Sequence, residues 1–200
     1  MQGDAENLFA RPAMHLAIDM QRLFAEPTEW FVPWLPKVLP NVLRIAECHP
    51  ERTVFTRFMP PETAEQARGA WRDYYERWAA MTRSRLDPRL LELVDPLRKL
   101  SPPARILDKG VYSAFSNPRL VRGLRRRGIE TLIITGGETD VCVMATVAGA
   151  LDLGFRVMLP TDALCSAEDT AHDALITVYR KRFHMQLETV TTEQVLDRWK

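Results

Sequence analysis

The stretch that most constrains this chain is Thr131–Asp162, TLIITGGETDVCVMATVAGALDLGFRVMLPTD. Thr131-Leu-Ile-Ile-Thr135 is an uninterrupted apolar run of the kind found in strands covered on both faces. Gly136 and Gly137 end it. The polar Glu138-Thr139-Asp140 turns the chain, and Val141-Cys142-Val143 opens a helix rich in small residues that Gly154 can close. Arg156–Leu159 reads as the next strand, ended by Thr161-Asp162. A strand–turn–helix–strand order is the crossover unit of a parallel sheet. It places a thiol on the first turn of a helix, where free N–H groups and the helix dipole favour negative charge. A lowered thiol pKa and a nucleophilic role are expected there. Cysteine is also a small apolar core residue, and the local pattern leaves both roles open.

The rest of the chain repeats the alternation. His15-Leu-Ala-Ile-Asp19 reads as a first strand ending in a carboxylate, Thr53–Arg57 as a second, and Arg105–Asp108 as a third, followed at once by Lys109-Gly110. Met185–Val190 is the sixth. Helices are expected over Asn41–Glu47, Thr63–Arg83, Pro88 to Val94, Pro118 to about Arg127, Ser166 or Asp169 to about Phe183, and Thr192–Trp199 with its capping signal at Thr192. Trp71, Tyr74, Tyr75 and Trp78 fall on one helical face, as a packing stripe, a subunit contact or a wall over a pocket. This pattern predicts a three-layer α/β/α fold with a doubly wound parallel six-stranded sheet. In the strand order 3-2-1-4-5-6, strands one and four flank the switch point. Asp19, Lys109 and Cys142 then meet at the carboxyl strand ends, where such sheets bind ligands. Residues 1–14 read as an N-terminal arm and 15–200 as one domain.

Composition narrows the function. The chain has 200 residues, 46% apolar content and a net charge of +1, so no global field points to nucleic acid or membrane partners. The run Arg125-Arg126-Arg127 reads as a solvated helix end. Three cysteines, Cys48, Cys142 and Cys165, are an odd number with no metal-like spacing, which suits a reducing cytoplasm. The first residues lack the pattern of a signal peptide.

Five segments taken together carry a resemblance: AIDMQ at 17–21, DKGVYSAF at 108–115, TGGETDVCV at 135–143, DLGFRV at 152–157 and TDALCS at 161–166. In this order they resemble the isochorismatase-like cysteine hydrolases, a superfamily that includes nicotinamidases and N-carbamoylsarcosine amidohydrolase. The resemblance runs from His15 to about Val195. It implies the same sheet order, an Asp–Lys–Cys triad of Asp19, Lys109 and Cys142, a cis peptide at Gly137–Glu138, and a homo-oligomer (dimer or tetramer). Backbone amides of Glu138, Val141 and Cys142 become candidates for an oxyanion hole. Nicotinamidases carry an Asp/His metal site after the second strand. The corresponding stretch here, Thr56–Glu62, has no histidine, and His49, His172 and His184 supply no matching pair, so neither metal nor cofactor is expected. The retained Cys142 implies hydrolysis of a small amide or N-carbamoyl C–N bond through a cysteine acyl-enzyme. Phe24, Arg57, Trp71, Tyr75 and Phe115 are the candidate substrate contacts, with Arg57 suited to a substrate carboxylate. The alternatives are vinyl-ether hydrolysis with Asp19 as the acid, an idle binding subunit, and a redox sensor.

Overall fold

The computed structural model describes residues 12–200; the expected arm lies outside the described residues up to Arg11. The elements are β1 (Ala13–Ile18), α1 (Arg22–Ala25), α2 (Leu35–Cys48), β2 (Thr53–Phe58), α3 (Ala70–Arg77), α4 (Asp95–Arg98), β3 (Arg105–Lys109), α5 (Pro118–Arg126), β4 (Thr131–Gly137), α6 (Met144–Asp152), β5 (Arg156–Pro160), β6 (Leu164–Cys165), α7 (Asp169–Arg182), β7 (Leu187–Val190) and α8 (Thr192–Arg198). The sheet is parallel throughout, in the order β3-β2-β1-β4-β5-β7, with β6 paired to β4. This is the expected order, with β7 in the place of the sixth strand. The two-residue β6 is an addition to it. It forms because β5 pairs with the first half of β4, while Gly136 and Gly137 pair with Leu164 and Cys165.

Alternation along the strands builds two cores. Ala17, Phe55, Ile133 and Met158 face α2 and α8, where Val38, Val42, Ile45, Val195 and Trp199 are buried. Leu16, Val54, Leu132, Ile134 and Val157 face the other way, toward Leu124 of α5, Val147 of α6 and Ile176 of α7. That is the helix–sheet–helix sandwich a parallel sheet needs to bury both faces. Among the described residues no helix is long and apolar enough to cross a membrane.

Several boundaries differ from expectation. The helix placed at Asn41 starts six residues earlier, at Leu35, and runs through Pro40. Pro36 sits in its first turn, and the buried Leu35 and Val38 hold the early turns to the sheet despite the donor that Pro40 lacks. The long helix expected over Thr63–Arg83 is one eight-residue helix, α3, between two short 3-10 turns. Gly69, at φ 56°, reverses the chain immediately before it. The segment after Asp87 is a 3-10 turn, Pro88–Leu91, followed by the separate α4. The cap of α8 is Thr191 and not Thr192: its side chain accepts from the Gln194 amide, and the Thr191 amide donates to the Gln194 side chain.

Candidate active site

β1 and β4 lie side by side, and their ends come unusually close. Gly136 has φ 103°, and a Cβ there would stand 2.2 Å from the Ile18 carbonyl oxygen, so only glycine fits. Directly after Ile18, Asp19 itself takes a left-handed conformation, φ 50°. A non-glycine residue held there stores strain of the kind that clusters at functional sites. Thr56 on β2 clamps it. The Asp19 amide donates to Thr56 Oγ1 at 3.0 Å, and the Thr56 hydroxyl donates to Asp19 Oδ1 at 2.6 Å. Gln21, also buried, braces the end of β2: its side chain accepts from the Phe58 amide at 2.7 Å and donates to the Leu91 carbonyl at 2.8 Å. Sequence reading does not single out Thr56. Its only signal is a small hydroxyl in the strand expected beside the first.

Lys109 ends β3 and reaches across beneath Phe58. Its Nζ stands 2.7 Å from Asp19 Oδ2, 3.1 Å from the Val111 carbonyl oxygen and 3.5 Å from Cys142 Sγ, with the Phe58 ring centroid 4.9 Å away. Asp19, Lys109 and Cys142 are 1%, 3% and 6% exposed. Burial alone would lower the lysine pKa; the charges of Asp19 and Cys142 and the hydrogen bonds to them outweigh it and raise the value. The ammonium is therefore locked in place as a cation.

The thiol does not behave as its place at a helix terminus suggests. Burial, reinforced by the charge of Asp19, pushes the Cys142 pKa well above its ordinary value, and Lys109 offsets only part of this. The direction favours the protonated thiol, whose sulfur lies 3.5 Å from the Lys109 ammonium. Cys142 lies in a widened π-type turn, Thr139–Val143, ahead of α6, in which the Val143 amide bonds the Glu138 carbonyl at 2.9 Å. Thr139 and the Ser166–Asp140 hydrogen bond fasten this turn to β6 and the segment after it. The Gly137–Glu138 peptide is cis. Of the candidate oxyanion donors, the Val141 amide is already committed to the Glu138 carbonyl at 3.1 Å.

Cys142 opens onto a cavity of about 360 Å³. Its walls come mostly from loops: Phe24 of α1, Trp30 and Phe31 before α2, Phe58 at the end of β2, Tyr74 and Trp78 of the α3 region, and Tyr112 after β3, with Glu29, Glu138, Val141 and Ala167 completing it. Of the expected substrate contacts, only Phe24 is in this lining. Arg57 points away: neighbouring strand residues alternate sides, and its guanidinium is held bidentately by Asp108 at 2.8 and 3.0 Å and by Glu92 at 2.9 Å. Phe115 stacks on Phe155 and packs against Gly149 beneath the site. Trp71 and Tyr75 belong to the right helical face but to its other half. They line neighbouring hollows with Val111, and Tyr75 is buried. Tyr74 and Trp78 line the cavity instead, and Trp30 bridges all of this aromatic group except Trp71. The stripe is thus largely covered within the chain.

The stretch that follows β2, Met59–Glu62, offers one carboxylate and no imidazole, and among the described residues no cluster of three or more His, Cys, Asp or Glu side chains is placed to hold a metal ion. A zinc or manganese ion finds no suitable donor set here.

The sequence matches the Isochorismatase domain family over residues 13–194. The chain belongs to the isochorismatase family. It is 34% identical over 74 residues to Nicotinamidase 3 of Arabidopsis thaliana, a match that covers 37% of this chain and 37% of that protein. It is 27% identical over 191 residues to a "Probable isochorismatase" of Pseudomonas chlororaphis, covering 92% of this chain and 84% of the relative. In structure it is similar to a cysteine hydrolase of Pseudomonas syringae, with a TM-score of 0.80 at 23% identity over 99% of this chain and 95% of the other.

Proposed function

We propose that this isochorismatase-family hydrolase cleaves a small amide or N-carbamoyl C–N bond through a thioester on Cys142, without a cofactor. The observation that carries this reading is the dry cluster in which Lys109 Nζ lies within 3.5 Å of the thiol and 2.7 Å of Asp19. In the first half-reaction Asp19 takes the thiol proton as the sulfur attacks the carbonyl carbon. A base held on the same ammonium removes the need for a low resting thiol pKa. Lys109 holds the anionic atoms together, and the amides of Glu138 and Cys142 are the donors proposed for the carbonyl oxygen. The tetrahedral intermediate collapses, the C–N bond breaks, and Asp19 returns the proton to the departing nitrogen. In the second half Asp19 deprotonates a water, which attacks the thioester, and the proton returns to the sulfur. The net reaction is R–CO–NH2 plus water to R–COOH plus ammonia. For a carbamoyl substrate, the carbamate formed loses carbon dioxide.

The three free thiols, one of them exposed, support a reducing, cytoplasmic setting. A homo-oligomer remains part of the proposal on the family resemblance. Screening amides, carbamoyl amino acids and ureides by ammonia release, with intact mass after rapid quenching, tests the reading. The expected result is turnover that persists in EDTA and an acyl mass on Cys142. Ammonia release with no adduct, retained in Cys142→Ala, overturns it. The match to a protein called an isochorismatase favours one second reading, vinyl-ether hydrolysis with Asp19 as the acid. Release of a carbonyl product and an alcohol by Cys142→Ala protein would select it.

A further inference from the structure

The cavity over Cys142 has a chemical bias that a generic amide site does not require. Rings from Trp30, Phe31, Tyr74, Trp78 and Tyr112 surround it, and its two ionisable lining residues besides the tyrosines and the nucleophile are carboxylates, Glu29 and Glu138. Among the described residues the lining contains no lysine or arginine. The nearest buried ammonium, Lys109, is already paired with Asp19. Arg57, the one strand-end cation the sequence offered to a substrate carboxylate, is engaged by Asp108 and Glu92. The Arg77 guanidinium lies outside the lining, 5.6 Å from the Trp78 ring centroid. The faces turned to the substrate are therefore π-rich and acidic.

Glu138 is the most unusual member. It sits in the turn that carries the nucleophile, and it is largely withdrawn from solvent. Its Oε1 accepts the Ala167 amide at 3.3 Å, and among the described residues no basic side chain pairs with the carboxyl. Burial, together with the charges of Asp140 and Asp19, pushes its pKa up, and the Ala167 bond offsets only part of this. A carboxyl in this state gains from a cation brought in by a ligand, and aromatic faces attract the same cation through their quadrupoles.

We infer that the site takes amide or carbamoyl substrates that carry a cationic ammonium group, held between the aromatic ring wall and the Glu138 carboxylate with Glu29 at the rim. This inference rests on the hydrolase reading above and narrows its substrate class. A substrate carrying a carboxylate would meet two lining carboxylates and no free cation, and is selected against.

Two shape-matched pairs test it. Choline and 3,3-dimethylbutan-1-ol differ only in N⁺ for C, and binding to the Cys142→Ala protein is measured by calorimetry at low salt, with 3,3-dimethylbutanoate as the anionic probe. Choline should bind about tenfold tighter than the alcohol, the advantage should shrink in 0.5 M salt, and the anion should not bind. Glu138→Gln in the same background should bring the two ligands to about equal affinity. Where that variant does not fold, the ratio in the Cys142→Ala protein and its salt dependence decide. Equal binding of the pair, or a ratio unchanged by Glu138→Gln in folded protein, overturns the inference. Betaine amide and 3,3-dimethylbutanamide are then offered to the wild type, their rates corrected for uncatalysed hydrolysis. Preference for the cation supports the inference. Equal turnover of both overturns it and leaves the hydrolase reading standing. Turnover of neither, with choline still selected, removes support from the hydrolase reading alone.

Discussion

Two buried thiols follow β4 in this fold, one in the turn after it and one on β6 beside its end, and their surroundings differ. Cys142 follows β4, and Cys165 ends β6, paired in register with Gly137. They are 6% and 2% exposed, and burial pushes the pKa of each upward. The difference is in their neighbours. Cys142 touches an ammonium that is itself paired with the Asp19 carboxylate, whose charge also acts on the thiol. Cys165 backs the turn, its sulfur 4.0 Å from the Gly136 carbonyl oxygen, with only the negative charge of Glu138 acting on it. It faces a separate hollow shared with Trp34 and His172, away from the Cys142 cavity. On the proposed mechanism, reactivity comes from a base and a cation held in the same dry volume as the sulfur, and not from a thiol that is acidic at rest.

The sharpest way to break that comparison is to delete each sulfur. Cys142→Ala and Cys142→Ser should both abolish turnover with the fold intact, because an alcohol is far harder to ionise than a thiol. Cys165→Ala should keep its activity within about threefold, in line with a residue that only packs. Ammonia-release assays on the three proteins decide it, and inactive but folded Cys165→Ala would show that the backing thiol takes part. Asp19→Asn comes next. It removes the base while keeping the shape, and acylation should slow by about two to four orders of magnitude; single-turnover kinetics would reveal a smaller loss.

Stability separates the same neighbourhoods. Lys109→Met leaves Asp19 charged, buried and unpaired, at a cost of about 3–5 kcal/mol. Neutralising both partners, with Asp19→Asn added, should recover a good part of that. Cys165→Ala removes one packed atom and should cost about 1 kcal/mol. Urea midpoints give all three values. A double variant no more stable than Lys109→Met would mean that the loss does not come from the charge left unpaired on Asp19.

How much of this could be read from the sequence divides along the same line. Asp19, Lys109 and Cys142 were legible because a parallel sheet sends each strand's carboxyl end to one edge, so three residues far apart in sequence must converge once the strand order is known. The cavity walls were not. Trp30 and Phe31 sit in a proline-limited connection with no periodicity to read. For Trp71, Tyr74, Tyr75 and Trp78 the 3.6-residue period identified a shared face, but which half lines the cavity depends on how the chain turns at Gly69 and sets α3 against Trp30. Arg57 looked like a ligand for an anion because its partners, Asp108 and Glu92, are 51 and 35 residues away. The thiol pKa escaped local reading for a related reason: a helix terminus is a local feature, whereas burial and the Asp19 charge are tertiary.

The pH dependence of stability tests that last point directly. If folding raises a thiol pKa, the native state keeps its proton while the unfolded chain releases it above about pH 8.5. The stability tied to that group is then fully present below the unfolded value and is lost as pH rises toward the folded one. Because Cys142 lies well above its ordinary value, its share of the loss between pH 7.5 and 9.5 should be on the order of 1 kcal/mol. Lysines and tyrosines titrate in the same range, so the informative quantity is the difference between wild type and Cys142→Ala, read from urea midpoints at the two pH values. The variant should lose less stability than wild type by that amount, and Cys165→Ala should show a similar difference, since burial acts on both sulfurs. A wild type that instead gains stability over Cys142→Ala as the pH rises would mean the native thiol ionises more readily than the unfolded one. The helix terminus and Lys109 would then outweigh burial and Asp19, and the two cysteines would differ already at rest, before any substrate arrives.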